Sequence, residues 1–370
     1  MSARAPASVV DAAMRSVEPV LLYDLRAIER RMIAGAAAAR AAGVSVLAAM
    51  KALAVPELLA LAAGRLDGFD LAGPEEDRAA PVVSVTFPGG ADAARLRGLV
   101  ARCERVIVSC ETAAQVAAAA SVPGVEIALR VSTSALGEDA PGGVRDRGGG
   151  HASRFGVAVD ELRGLAAIAP DRVRGLHLHG GPLAVTAARF AARAAAAMAA
   201  AEAAELAITR LDLGGSLHGF SLDEPTAGRA RLADALAAAR AAVPAAIELC
   251  IEPGRLWTEG CGYAAGRVLA VRRAAGHDAR VLALSRLCHL RWSTPNLCAP
   301  PPPRDDRHPL VLLGATCCED DVIGDAIVPA ATAAALVEGE VAIVAGVSGY
   351  AAAWNRGFGG VPAARVCCVG

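Results

Sequence analysis

Eight short apolar runs recur through the first two-thirds of this sequence, at 44–50, 68–72, 82–87, 105–109, 127–131, 175–179, 210–213 and 247–251. Alanine-rich stretches of helical character separate them. Strands that read as continuous apolar runs are buried on both faces, and alternation with helices buries a parallel sheet beneath its own crossovers. Eight such units describe an α/β fold, a (β/α)8 TIM-like barrel. An opening run at 20–24 would make a ninth strand, so it belongs to another domain or leads into the barrel. After residue 255 the helical rhythm gives way to apolar runs at 263–271, 281–284, 310–313 and 340–345, spaced by loops rich in proline and glycine. This region reads as a C-terminal β-rich domain, a barrel or sandwich. The expected division is a barrel over 25–256 and a β domain over 257–370, joined by an N-terminal segment 1–24.

Composition narrows the function. A formal net charge of −1 and 3% aromatic residues remove the electrostatic and stacking grounds for nucleic-acid binding. The first 18 residues are interrupted by Arg4, Asp11, Arg15 and Glu18, which is no signal peptide, and Arg189, Arg193, Glu202 and Glu205 break the alanine-rich stretch at 187–207. Ten cysteines without regular spacing point to reduced thiols in the cytoplasm. The adjacent pairs Cys317/Cys318 and Cys367/Cys368 do not make CxxC metal clips, so no metal is expected.

The basic residues are more telling. Lysine and arginine together number 37, and Lys51 is the sole lysine. A chain that writes arginine wherever arginine will serve keeps a lysine only for what guanidinium cannot do. Forming a Schiff base is one such task. Lys51 closes the apolar run Leu47-Ala-Ala-Met-Lys51, so its amine projects from a strand end, and in a βα barrel those ends form the catalytic face. A surface lysine is the competing reading.

Other strand ends carry chemistry as well. Leu211-Asp-Leu-Gly-Gly-Ser216 brings small residues whose amides can approach a phosphate, although glycine pairs after strands are also common turns. Glu252-Pro-Gly-Arg255 places a carboxylate, a bend and a guanidinium together. The carboxylate suits a pyridine nitrogen and the guanidinium a phosphate or substrate carboxylate, with a structural ion pair as the alternative. His177 and His179 share a strand face without a third ligand at metal spacing. His179 suits stacking on an aromatic cofactor, and His177 suits a core position. Cys317, in a cluster of acids, is a proton donor or an inert thiol.

In this order the motifs resemble the fold-type III pyridoxal-phosphate decarboxylases, the ornithine, arginine and diaminopimelate group related to alanine racemase. The resemblance runs from residue 23 to 362 and also takes in Phe69-Asp70, Ser153-Arg-Phe-Gly156, His177-Leu-His-Gly180, Gly314 to Asp321 and Gly349-Tyr350. It implies pyridoxal 5'-phosphate as cofactor, held covalently by Lys51. His179 would stack on the ring, Glu252 would pair with the ring nitrogen, and Asp70 and Glu76 would lie near the amine. Gly214, Gly215, Ser216, Gly254, Arg255 and Tyr350 would hold the phosphate. It further implies a homodimer with shared sites, in which Cys317 protonates Cα in the partner's site and Arg154 pairs with Asp321 between subunits.

Two departures bear on substrate and cofactor. Cys318 replaces the acid that grips a distal ammonium in the family, with Glu319 one place later, and Pro182 replaces a phosphate-binding serine. The expected activity is decarboxylation of an α-amino acid, probing toward a non-standard one or a conjugate, with carbon dioxide and an amine as products. An amino-acid racemase and a non-catalytic cofactor-binding homologue are the alternatives; no nucleic acid or membrane partner is expected.

Overall fold

The computed structural model describes residues 4–86, 89, 92–138, 144–145, 150–180, 186–215, 217, 220, 222 and 227–370. They divide into two compact units, one of Arg31–Lys51 and Ala60–Leu256, the other of Met1–Arg30, Ala52–Leu59 and Trp257–Gly370.

The first unit is a closed barrel of eight parallel strands. In chain order these are Val44–Ala49, Gly68–Leu71, Val82–Val85, Arg105–Cys110, Val125–Arg130, Val173–His177, Arg210–Asp212 and Glu248–Ile251, and the last pairs with the first through Ile251 and Val46. All eight expected runs become barrel strands. Gly68 is required where it stands, because a Cβ there would lie 2.0 Å from the Val82 carbonyl oxygen of the next strand. The crossover helices start on side-chain caps that satisfy otherwise orphaned amides. Asp92 accepts from Arg95 N at 2.8 Å, Thr112 from Gln115 N at 3.2 Å and Thr186 from Arg189 N at 3.3 Å. Ala187–Ala203 and Ala227–Ala241 pack on each other, and their alanines permit the close approach.

Near the strand starts an ionic ladder ties the barrel together. Arg210 Nη1 meets Glu248 at 2.5 Å, Arg105 meets the same carboxylate at 2.6 Å, and Arg105 also meets Glu126 at 2.7 Å. Charges at the N-terminal end of a βα barrel serve stability and leave the opposite end for chemistry.

The second unit is built on an eight-stranded sheet. Its centre is the 13-residue strand Gly262–Ala274, which pairs with Val341–Ala345, His277–Leu282 and the early strand Val20–Asp24. Val20–Asp24 also pairs in parallel with Arg365–Val369 near the end of the chain. The ninth apolar run thus belongs to this sheet and not to the barrel. The helix Ala7–Met14 lays Val9, Ala12 and Ala13 on a core with Val20, Leu22, Tyr263 and Ala265.

Candidate active site

Parallel register lines up the chemistry at the C-terminal ends of the barrel strands. Ala49 pairs with Asp70 and Asp70 with Ser84 across three adjacent strands. Lys51 follows in the turn Met50–Ala52, and its Nζ forms an ion pair with Asp70 Oδ2. The Asp70 side chain is 1% exposed and that of Lys51 34%, so the amine sits at the rim with its counterion beneath it. Glu76 accepts from Ala72 N at 2.5 Å, close enough to Lys51 and Asp70 to feel both charges, and burial raises its pKa.

Glu252 follows the strand Glu248–Ile251. Its amide donates to the Gly214 carbonyl at 2.9 Å, and its buried carboxyl has Oε2 3.3 Å from His177 Nε2. Its Oε1 is buried without a hydrogen-bond partner. Burial, helped by the charge of Asp70, pushes Glu252 up to about 8, and burial together with Arg130 pushes His177 down to about 4. Near neutral pH the pair is therefore a protonated carboxyl donating to a neutral imidazole, in the tautomer whose Nε2 accepts.

The glycine loop is folded tightly onto this pair. Gly214 has φ +65°, and a Cβ there would stand 2.3 Å from the Leu178 carbonyl oxygen. Gly214 N donates to Asp212 Oδ1 at 2.9 Å, and Gly215 N to His179 Nδ1 at 3.3 Å. Both amides expected to face a phosphate are thus turned inward. Burial pushes Asp212 up to about 6, with the charge of Glu252 adding to it, and drives the pKa of His179 well below the usual histidine range. Ser216 and Pro182 lie outside the described residues. Gly254 is buried and Arg255 half-buried at the start of the short helix Arg255–Thr258.

Several residues here were not picked out from sequence. Arg130 ends the strand Val125–Arg130, is buried, and lies near Glu111, Glu252 and Asp70. Its guanidinium is 4.5 Å from the centroid of the Phe155 ring, and that of Arg154 is 4.0 Å from the same centroid. A charged side chain ending an apolar strand is the signal that singled out Lys51 and Glu252, and it applies to Arg130 equally. Ser84 and Asp212 needed the register. His177, His179 and Glu252 also present ligand atoms within 4.8 Å of one another. The carboxylate that sequence spacing failed to supply for a metal set arrives from another strand, although His177 and Glu252 bond each other and His179 bonds Gly215 N.

Tyr350, Cys317, Cys318, Glu319 and Asp321 belong to the sheet-bearing unit. Cys317 and Glu319 are exposed and Cys318 is half-buried. Tyr350 opens the short helix Tyr350–Ala353 and meets Trp292 edge to face at 5.1 Å. Asp321 is buried and uses both oxygens within its own unit. Oδ1 accepts from Ser285 Oγ at 3.1 Å and Arg286 N at 2.6 Å, and Oδ2 from Thr316 N at 3.0 Å and its hydroxyl at 2.7 Å. Its evident local task is to shape the loop that carries Cys317.

The chain thus forms a closed βα barrel with polar side chains gathered at its strand ends, and a second unit built on a mixed β-sheet. No family model matches the chain, and no curated protein does. Solved structures match it over almost its whole length. The arginine decarboxylase of Paramecium bursaria Chlorella virus has TM-score 0.75 and 18% identity, with 98% of this chain and 99% of that chain covered. The lysine/ornithine decarboxylase of Vibrio vulnificus complexed with cadaverine has TM-score 0.77 and 19% identity, with 97% of each chain covered. SrLDC in complex with PLP and cadaverine has TM-score 0.72 and 20% identity, with 100% and 95% covered. The chain shares the fold of these enzymes.

Proposed function

We propose that the protein is a pyridoxal-phosphate-dependent decarboxylase of an α-amino acid, releasing carbon dioxide and an amine. The observation that carries this reading is Glu252 Oε1, a buried carboxyl oxygen without a partner in the same strand-end layer as the chain's sole lysine. A buried unpaired polar atom costs about 1–3 kcal/mol and calls for an explanation. A pyridine ring nitrogen seated against it would supply one, so the residues present fit the cofactor.

Bound there, pyridoxal phosphate supplies an aldehyde for imine formation and a ring that accepts the electrons of a bond broken at Cα. Lys51 Nζ is the amine for that aldehyde, and Asp70 holds it at the rim. Glu252 would stand against the ring nitrogen through Oε1, and with the proton held by that nitrogen its carboxylate would be the counter-charge. His177 holds the Glu252 carboxyl in place. His179 is the planar group for the ring face. Arg130 offers a buried positive charge to an anionic group of cofactor or substrate, and Gly254 and Arg255 would serve the phosphate, with Ser216 and Tyr350 added by the resemblance alone. The Cys317 thiol returns a proton to Cα from the second subunit of a homodimer.

The fold neighbours are named for arginine, lysine and ornithine. With Cys318 in place of the acid that grips a distal ammonium, the reading extends to amino acids with another distal group, Glu319 serving only if its loop presents it. Among the described residues no helix is long and apolar enough to cross a membrane. The scattered cysteines support a cytoplasmic setting.

The test is carbon dioxide release from a panel of basic, acidic, sulfonium and carrier-bound amino acids, with Lys51→Ala alongside. At least one substrate is expected to lose carbon dioxide with the wild type and none with the variant. Inversion at Cα without carbon dioxide would replace this reading with a racemase.

A further inference from the structure

Arg193 lies on the helix Ala187–Ala203, its side chain only 4% exposed. Its Nε and Nη2 engage the two oxygens of Glu138 at 2.7 Å each, a bidentate pair that leaves Nη1 aside. Nη1 is buried and has no hydrogen-bond partner. The guanidinium lies directly against Gly180, where a Cβ would stand 2.1 Å from Nη2 and 2.7 Å from Nη1. Its positive charge also reaches the His179 imidazole next along the chain. An arginine held this rigidly by one carboxylate, with its Nη1 dry, is pre-organised for a second anionic acceptor.

Two further observations say where that acceptor is needed. The amides of Gly214 and Gly215 are turned to Asp212 and His179, so neither is available as a donor in this arrangement. The chain also has proline, with neither hydroxyl nor N–H, at position 182.

We propose that Arg193 is a binding residue whose Nη1 receives an oxyanion brought to the His179–Gly180 turn. The oxyanion belongs to the phosphate of the cofactor or to a carboxylate of the substrate. This rests on the cofactor reading above. Glu138 is its positioning partner, fixing the guanidinium so that Nη1 alone is presented.

The experiment compares wild type, Arg193→Met and the double variant Arg193→Met/Glu138→Met as cofactor-free protein. The double variant removes both members of the ion pair and so keeps a foldable comparison if the single one misfolds. Affinities for pyridoxal phosphate and for pyridoxal are measured by absorbance titration, and melting is followed with inorganic phosphate or acetate added.

If the oxyanion is the phosphate, the variants bind pyridoxal phosphate about tenfold or more weakly, and pyridoxal as before. If it is a carboxylate, both affinities stand, and the stabilisation by acetate is lost while that by phosphate persists. Equal loss of both affinities, or no dependence on Arg193 in any titration, overturns the inference. Failure of the wild type itself to bind pyridoxal phosphate overturns the cofactor reading instead.

Discussion

Lys51 and Glu252 illustrate what single residues disclose. Lys51 stood out in the sequence because a lone lysine among arginines needs a chemical reason. Its partner Asp70 was legible through the resemblance. The protonation of Glu252 was not legible, because it arises from burial beside Asp70, His177 and Ser84, which come from three other strands. A carboxyl with a pKa higher in the fold than in the unfolded chain stabilises the fold at low pH, and that contribution is lost as pH rises from 4.5 to about 8. For cofactor-free protein, Glu252→Gln should therefore become progressively more stable than wild type across this window. Between the two ends of the window the gap should widen by roughly 4–5 kcal/mol, measured by urea unfolding at several pH values. Parallel stability curves would count against a buried, protonated Glu252.

At the scale of elements, the barrel strands were readable because burial on both faces leaves them as unbroken apolar runs, a pattern that helices of alanine and arginine do not imitate. The early strand Val20–Asp24 was readable as a strand but not as to its sheet. Its partners are Gly262–Ala274 and Arg365–Val369, hundreds of residues away, and no local pattern encodes that pairing. The glycine loop was foreseen as a phosphate cradle, yet its amides point to Asp212 and His179, an outcome decided by a side chain two residues back and another from a neighbouring strand. The loop's tightness makes its own prediction. Gly214→Ala adds a Cβ 2.3 Å from a backbone oxygen at φ +65° and should cost roughly 2–4 kcal/mol. Gly137→Ala, at φ +81° with nothing within 4 Å, should cost only about 1 kcal/mol. Thermal melts of the two variants provide the comparison, and equal losses would show that close approach is not what holds Gly214.

At the scale of the molecule, the fold matches solved decarboxylases across 97–98% of the chain at 18–19% identity, so the architecture outlasts most of the sequence that encodes it. The proposed homodimer rests on the resemblance and on an exposed Cys317 whose loop is shaped by Asp321 within one subunit. It predicts complementation. Mixing inactive Lys51→Ala with inactive Cys317→Ala should restore up to about a quarter of wild-type activity, because half of the randomly reassorted dimers would contain one intact site. No recovery after verified subunit exchange would argue that each site is complete within one chain.

The most direct measurement is borohydride reduction of the protein after incubation with pyridoxal phosphate, followed by peptide mass spectrometry. With one lysine in the chain, the side-chain amine has a single address. The account predicts a reduced pyridoxyl adduct on Lys51 at near-unit stoichiometry, together with loss of the visible absorbance of the bound cofactor. An unmodified Lys51, or an adduct confined to the terminal amine, would contradict it.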